Sequence, residues 1–233
     1  MKKILIACAH PDDEVLGMPG TIASLASSGC NVYVLHCFEG STSRAFTNTS
    51  FPLNEDTHSQ VAIAERINLS VQCGQILGYE VLEPLHLPNF RSSVEDKLFL
   101  NSHIASIIDK LSIDTVFTHF NSDLNSDHCI VSDSVRVATR PLSQPAPSVF
   151  EFEVLSTTEY SYKSQFLPNY FCSIGMQLSK VQQAISIYNL EMRPLPHPRN
   201  YDSYRSRARL RGSLCGCNYA EGFATVRHLL PLA

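Results

Sequence analysis

The apolar positions of this chain change period several times. Ile4-Leu5-Ile6-Ala7-Cys8 is an unbroken apolar run, as in a strand buried on both faces, and Lys3–Cys8 is predicted as a strand. Gly17–Ser28 reads as a helix stopped by Gly29. Asn31–Phe38 returns to strand character through Val32, Tyr33, Val34 and Leu35. Asp56–Leu77 carries helix formers as far as Gly78, and Val81–Leu87 is a short strand ended by Pro88. Val94–Leu111 places Leu98, Ile104, Ile107, Ile108 and Leu111 on one helical face. Asp114–His119 is a strand, and His128–Thr139 a helix ended ahead of Pro141. Strand and helix alternating in this way predict an α/β, Rossmann-like three-layer fold with a mostly parallel sheet.

The second half is less regular. Val149–Leu155 is predicted as a strand and Ser179–Leu190 as a helix that turns Val181, Ala184, Ile185 and Tyr188 to the core. Met192–Tyr204, rich in Pro and Arg, is predicted as an ordered loop. Tyr204–Cys217 begins as a helix and is broken by Gly212 and Gly216. No repeat or linker interrupts the chain, so residues 1–233 are expected to form a single domain with a C-terminal elaboration.

Open parallel sheets bind ligands beyond the carboxyl ends of their strands. Four polar loops fall there: His10–Glu14, Phe38-Glu39-Gly40, Pro88-Asn89-Phe90 and His119–His128. The first is the most informative. A strand that ends in Ala9-His10-Pro11-Asp12-Asp13-Glu14 crowds ionisable groups that an apolar strand does not need. Acids in a helix's first turn complement the macrodipole, which accounts for one or two of them. It does not account for His10, nor for the second Asp/His cluster at Asp123–His128.

Composition narrows the chemistry. The 233 residues are 44% hydrophobic and 17% charged, with net charge −4 and a pI near 6.1, which removes nucleic acid as a general partner. No apolar run approaches the ~20 residues of a membrane span. Met1-Lys2-Lys3 leads into a strand rather than a signal-type apolar segment, so a cytoplasmic protein without membrane insertion is expected. Cys8, Cys37 and Cys172 sit in apolar runs, and Cys215 and Cys217 are too close for an ordinary disulfide, so the thiols are expected to be reduced.

A hydrolytic zinc takes three N/O ligands and keeps a place for water. His10 and an Asp two or three residues on can reach one ion from a tight turn, and Asn125-Ser126-Asp127-His128 is the best source of a third ligand. Such an ion lowers the pKa of its water to about 7, and a neighbouring carboxylate can take the proton. Spacing alone does not say which of Asp12 and Asp13 binds and which is the base.

These residues resemble the PIG-L/LmbE-like family of metal-dependent N-acetylglucosamine deacetylases. The resemblance rests on Ala9-His10-Pro11-Asp12-Asp13-Glu14 and on Arg66 leading an aliphatic helix that closes in Leu77-Gly78. It extends to Asn125-Ser126-Asp127-His128, to Phe166–Phe171 followed by Lys180, Ala184 and Tyr188, and to Arg211-Gly212 with Gly216 and Ala220-Glu221. The resemblance implies that His10, Asp13 and His128 bind Zn2+, or Fe2+ or another divalent ion, and that Asp12 is the general base. It places Asp127 behind a ligand, and Arg66, Glu39 and Asn89 toward an amino-sugar substrate whose N-acetyl group is hydrolysed. Two positions depart from the family pattern. Asn125 replaces a histidine credited with stabilising the tetrahedral intermediate, and it can donate a hydrogen bond but not carry a proton. Asn125 is kept as a candidate catalytic residue, and oxyanion stabilisation is otherwise expected to pass to the metal, to His119 or to another group. Asn89 stands where an Asp often meets sugar hydroxyls.

The small-molecule substrate is the expected partner, and a homo-oligomer is compatible with the sequence. Two other classes were weighed. A non-catalytic sugar-binding domain would keep the fold without needing Asp12. A facial-triad iron oxygenase would use His10-Pro11-Asp12 with His128, but such triads favour a fold of many short strands.

Overall fold

The structure, a computed structural model, describes residues 2–40, 58–90, 92–142 and 146–229. Its strands are β1 (Lys3–Cys8), β2 (Asn31–His36), β3 (Glu80–Val81), β4 (Thr115–His119), β5 (Ser148–Phe152), β6 (Tyr170–Ser173) and β7 (Ala220–Arg227). They form one sheet in the order β3-β2-β1-β4-β5-β7-β6. The first five in that order run parallel, while β7 pairs antiparallel with both β5 and β6. The helices are α1 (Asp13–Gly17), α2 (Pro19–Ser27), α3 (His58–Leu77), α4 (Val94–Leu111), α5 (Ser126–Ala138), α6 (Leu178–Ile187) and α7 (Tyr201–Cys215).

The unbroken apolar run of β1 follows from its central place. Ile4, Ile6 and Cys8 enter a core shared with Ile22, Cys73, Leu77, Ala184 and Ala208, on the side of α2, α3, α6 and α7. Leu5, Ala7 and Ala9 enter a second core with Leu100, Ile104, Val131 and Val135, on the side of α4 and α5. Both faces are covered, so both parities must be apolar. The sheet reverses direction of growth at β1 and β4, with β2 on one side and β5 on the other. The loops leaving β1 and β4 therefore flank the switch point where such sheets bind ligands.

Several predicted elements change on folding. The helix predicted over Gly17–Ser28 is α2, which starts at Pro19, and a separate short helix, α1, precedes it; Pro19 has no N–H to continue α1 and instead starts α2. A side chain at Gly17 would meet the Phe152 ring at 2.5 Å, so this break is also where α1 touches the sheet. The predicted strand Val81–Leu87 contracts to Glu80–Val81, with one further bridge between Phe38 and Leu87. Gly212 does not break α7. A Cβ there would lie 2.5 Å from the Cys217 carbonyl, so the glycine lets the following chain pack against the helix, and Gly216 at φ 79° ends it. The loop predicted up to Tyr204 ends at Tyr201. The antiparallel strands β6 and β7 are not among the predicted elements. Asp56 and Thr57, the start of one predicted helix, lie outside the described residues. No described helix is long and apolar enough to cross a membrane.

Candidate metal centre

The turn between β1 and α1 is fastened by its own acids. The Asp13 carboxylate accepts the His10 backbone N–H at 2.8 Å, and the Glu14 carboxylate accepts that of Asp12 at 3.2 Å. Asp12 itself sits at φ 137°, ψ −24°, a conformation that non-glycine residues rarely hold. Its carbonyl accepts the N–H groups of Val15 and Leu16, which start α1. Backbone strain at a loop carrying ionisable groups is a mark of functional sites.

His10, Asp13 and His128 converge. One ligand atom from each lies within 4.8 Å of the others, and all three side chains are buried. His10 Nδ1 is 3.5 Å from Asp13 Oδ2, and His128 Nε2 is 3.4 Å from Asp13 Oδ1. Each imidazole has a carboxylate behind it. His10 Nε2 is 3.1 Å from Asp127 Oδ2, and His128 Nδ1 is 3.1 Å from Asp123 Oδ1. The second contact is not aligned as a hydrogen bond, so its attraction is mainly electrostatic. A carboxylate behind an imidazole fixes the ring's orientation and raises its basicity, as is usual for metal-binding histidines. Burial opposes a charge on His128, but Asp13 and Asp123 push its pKa up to about 10.

The donor set fits a divalent ion. Two imidazole nitrogens and one carboxylate suit zinc or ferrous iron. The charge inventory agrees with this. Asp12, Asp13, Glu14, Asp123, Asp127 and Glu191 are all buried around the turn, against the two guanidiniums of Arg66 and Arg199. Buried carboxylates need paired positive charge, and protons on histidine or a bound cation must supply the remainder.

Asp12 is not part of the convergent triad. Its Oδ2 lies 3.4 Å from both Arg66 and Arg199. Burial works against its ionisation, but Arg66 first, and then Glu191 and Arg199, hold its carboxyl well below the usual range. Arg66 itself donates from Nη1 to the Glu191 carboxylate and from Nη2 to the Pro11 carbonyl, while its buried Nε has no partner among the described residues. Its ion pairs are therefore with Asp12 and Glu191 across the fold, and its helical neighbour Glu65 is exposed. Arg199 reaches in from the Pro-rich loop, anchored by its Nε donating to Ser156 Oγ at 3.1 Å.

Glu14 turns the other way, into a sealed polar cluster. It accepts from Ser70 at 2.7 Å and Tyr79 at 2.8 Å, and it lies 3.2 Å from His36 Nε2. Burial raises its pKa, but His36, Ser70 and Tyr79 more than reverse that. The cluster ties α1 to β2 and α3, which makes Glu14 a buttress under Asp12. Glu14→Ala is expected to destabilise the fold by about 3–5 kcal/mol, because the remaining donors stay buried without their acceptor. Urea unfolding measures this, and a loss under about 1 kcal/mol would refute the buttress role.

The other predicted site residues divide. Asn89 is buried, and its Oδ1 accepts the Gly40 N–H at 3.1 Å while its Nδ2 has no partner among the described residues. Gly40 needs to be a glycine, with φ 73° and a Cβ position 3.0 Å from Arg66 Nε and 3.3 Å from His10 Cβ. Glu39 donates its N–H to the Leu87 carbonyl, which fixes the second loop to the third. Asn125 caps α5, its Oδ1 accepting the Asp127 N–H at 2.9 Å, so its position serves helix geometry. His119 is fully buried. Its ring stacks 3.9 Å from that of His128, and its Nε2 accepts the Ala9 N–H at 2.8 Å. It lies against the His128 ring, and its Nε2 is also 3.4 Å from Asp13 Oδ2.

Sequence reasoning missed Glu191, named Asp123 only as part of the Asp/His cluster, and did not place Arg199 beside Asp12. Asp123 read as a turn residue, and it does accept the Asn125 N–H, but its buried carboxylate also backs His128 and accepts from Thr157 and Thr158. Its spacing of five from His128 carried no signal by itself. Glu191 and Arg199 stand in a region of irregular pattern, where nothing local marks them.

A profile of the family described as "PIG-L: GlcNAc-PI de-N-acetylase" matches residues 5–139. Three solved structures share the fold across nearly the whole chain. The 4-carboxy-2-hydroxymuconate hydratase GalB of Pseudomonas putida KT2440 is 23% identical, covers 100% of both chains and has a TM-score of 0.74. The N,N′-diacetylchitobiose deacetylase of Pyrococcus horikoshii is 21% identical over 97% of this chain and 84% of its own, with a TM-score of 0.71. The zinc-inhibited form of the teicoplanin deacetylase Orf2 is 19% identical over 96% and 97%, with a TM-score of 0.70. At these identities the likeness is one of fold.

Proposed function

The chain belongs to the PIG-L family, and on that premise we propose that it hydrolyses the N-acetyl group of an N-acetylglucosamine-type sugar or its conjugate, with a divalent ion, zinc in the first instance. The observation that carries this reading is the convergence of His10, Asp13 and His128 within 4.8 Å, beside a separate carboxylate, Asp12. The same convergence argues against the facial-triad alternative, which needs Asp12 in the ligand set.

A divalent ion at the triad would supply Lewis acidity toward an amide carbonyl and acidify a water. The chain's own residues do the rest. Asp123 and Asp127 hold the two imidazoles in place. Arg66 and Arg199, both 3.4 Å from its Oδ2, hold Asp12 as a carboxylate, the form that can accept a proton, while weakening it as a base. Glu191 keeps Arg66 fixed, and Arg66 in turn fixes the Pro11 carbonyl and Asp12. Asn125 spends only its acceptor Oδ1 on the helix cap, so its amide N–H groups can still donate to a developing oxyanion.

The test is metal content by mass spectrometry together with acetate release from a panel of N-acetylated amino sugars and their conjugates. Stoichiometric metal with acetate release supports the reading. Metal without acetate release, but with consumption of an unsaturated carboxylic acid, would move the protein to hydration chemistry, which a neighbour of the same fold carries out. Absence of metal and of turnover would leave a binding domain.

Arg66 offers a narrower test. Arg66→Lys retains a charge but loses the fork that spans Glu191, Pro11 and Asp12, and kcat/KM is expected to fall about 10²-fold through misplacement of Asp12. Unchanged kinetics with a lowered Tm would make Arg66 a purely structural ion-pair partner.

A further inference from the structure

Of the eight cysteines Cys215 is the exposed one, and its sulfur lies 3.6 Å from that of half-buried Cys217. The backbone holds the two thiols together. Cys215 is the last residue of α7, and Gly216, at φ 79°, turns the chain so that Cys217 comes back beside it. The Cys217 N–H donates to the Gly212 carbonyl at 3.0 Å, which closes the turn. Even an extended chain puts Cα atoms two positions apart at no more than about 7 Å. The left-handed turn shortens that span toward the ~4.4–6.8 Å that a disulfide bridges. The sulfurs are only weakly tied elsewhere. Cys215 Sγ lies 3.5 Å from the carbonyls of Arg211 and Gly212, and Cys217 Sγ lies 3.4 Å from that of Tyr219. A thiol is a weak donor, so these contacts are given up at little cost. Partial desolvation first, and then Cys217, push the Cys215 pKa up. A rapid peroxide sensor needs a standing thiolate, and this is not its setting. Slower exchange, driven by closure of a neighbouring thiol, suits the pair better.

We propose that Cys215 and Cys217 form a redox-active dithiol that exchanges with low-molecular-weight disulfides and closes to an intramolecular disulfide across Gly216. The Cys215 thiolate, its proton given to water, attacks one sulfur of the small disulfide. That S–S bond breaks, and the departing thiolate takes up a proton. The Cys217 thiolate then attacks the Cys215 sulfur and releases the second small thiol. Two protein thiols are oxidised and one small disulfide is reduced to two thiols, so atoms and electrons balance. The second step joins sulfurs already in contact, so it outruns a fresh encounter with a small molecule. An exposed bridge is readily reduced again, which makes the modification reversible. The dithiol lies at the end of α7 and uses none of the residues of the metal centre, so it stands whether or not the chain releases acetate.

The experiment incubates the reduced full-length chain with oxidised glutathione, alkylates the thiols that remain, and maps the peptides by mass spectrometry. In the wild type the peptide carrying both cysteines should lose two hydrogens, escape alkylation at both positions and hold no glutathione, and dithiothreitol should restore both thiols. Cys217→Ser cannot close the bridge, so it should hold glutathione on Cys215 at about ten times the wild-type level or more. Tm is recorded for the variant, and the wild-type result decides the matter even if the variant fails to fold. Full alkylation of Cys215 and Cys217 in the treated wild type would overturn the dithiol. So would glutathione retained on the wild type as strongly as on Cys217→Ser, or a bridge from either cysteine to Cys172.

Discussion

His10→Ala and His128→Ala should each lose the divalent ion on dialysis, and with it all measurable turnover. The reasoning is geometric. Among the described residues three buried side chains bring donor atoms within 4.8 Å of one another, so losing one would leave a two-ligand site. Removing a carboxylate that merely orients a ligand typically weakens metal binding 10–100-fold, so removing a ligand should cost more than about 10²-fold. Asp127→Asn supplies the internal scale. It keeps an acceptor oxygen near His10 but drops the charge, and it should weaken the metal without abolishing it. Metal titration of the three variants ranks them. Full occupancy in both alanine variants after dialysis would overturn the ligand assignment, and a loss in Asp127→Asn as large as in His10→Ala would make Asp127 a ligand.

What the sequence revealed of this site follows from how locally each part is encoded. His10, Asp12 and Asp13 lie within one turn, and the apolar run ahead of them locates that turn at the end of a buried strand. The central strands were equally legible, because burial on both faces writes a continuous apolar signal. β7 was not. It lies between β5 and β6, and its residues Glu221, Gly222, Thr225 and Arg227 dilute the apolar pattern. Glu221 is nonetheless buried, accepting from the N–H groups of Gly20 and Thr21 and from Tyr204, so that a charged side chain in a strand caps a distant helix. The charge cluster around Asp12 was hidden for a related reason. Arg66, Glu191 and Arg199 are brought together from α3 and from the irregular segments on either side of Met192, and only the folded chain shows that their charges balance. Asn125 is a different case. The departure from the family's histidine was visible, but its use as a helix cap is read from the bond to Asp127.

The neighbouring acids Asp12 and Asp13 should fail in different ways when each is changed. Asp12→Asn is expected to keep the metal and lose about 10²–10⁴ of the turnover, the range typical for removing a general base. Its carboxylate lies against Arg66 and Arg199 and outside the convergent triad, so the amide leaves the ligands in place while giving up the ability to accept a proton. Asp13→Ala deletes an oxygen that faces both His10 and His128, and its second role of accepting the His10 backbone N–H goes with it. Metal affinity and turnover should then fall together. Activity alone cannot separate the two variants, because both will look inactive, and the decisive measurement is metal content beside turnover. Loss of metal in Asp12→Asn with retention in Asp13→Ala would exchange the two roles. Near-normal turnover in Asp12→Asn would mean that the proton goes elsewhere and that the two guanidiniums hold Asp12 for the shape of the turn. The strained backbone of Asp12 argues against that last outcome. A residue needed only to satisfy Arg66 and Arg199 would not have to sit at φ 137° one position ahead of a candidate metal ligand, whereas a base aimed at the proposed metal centre would.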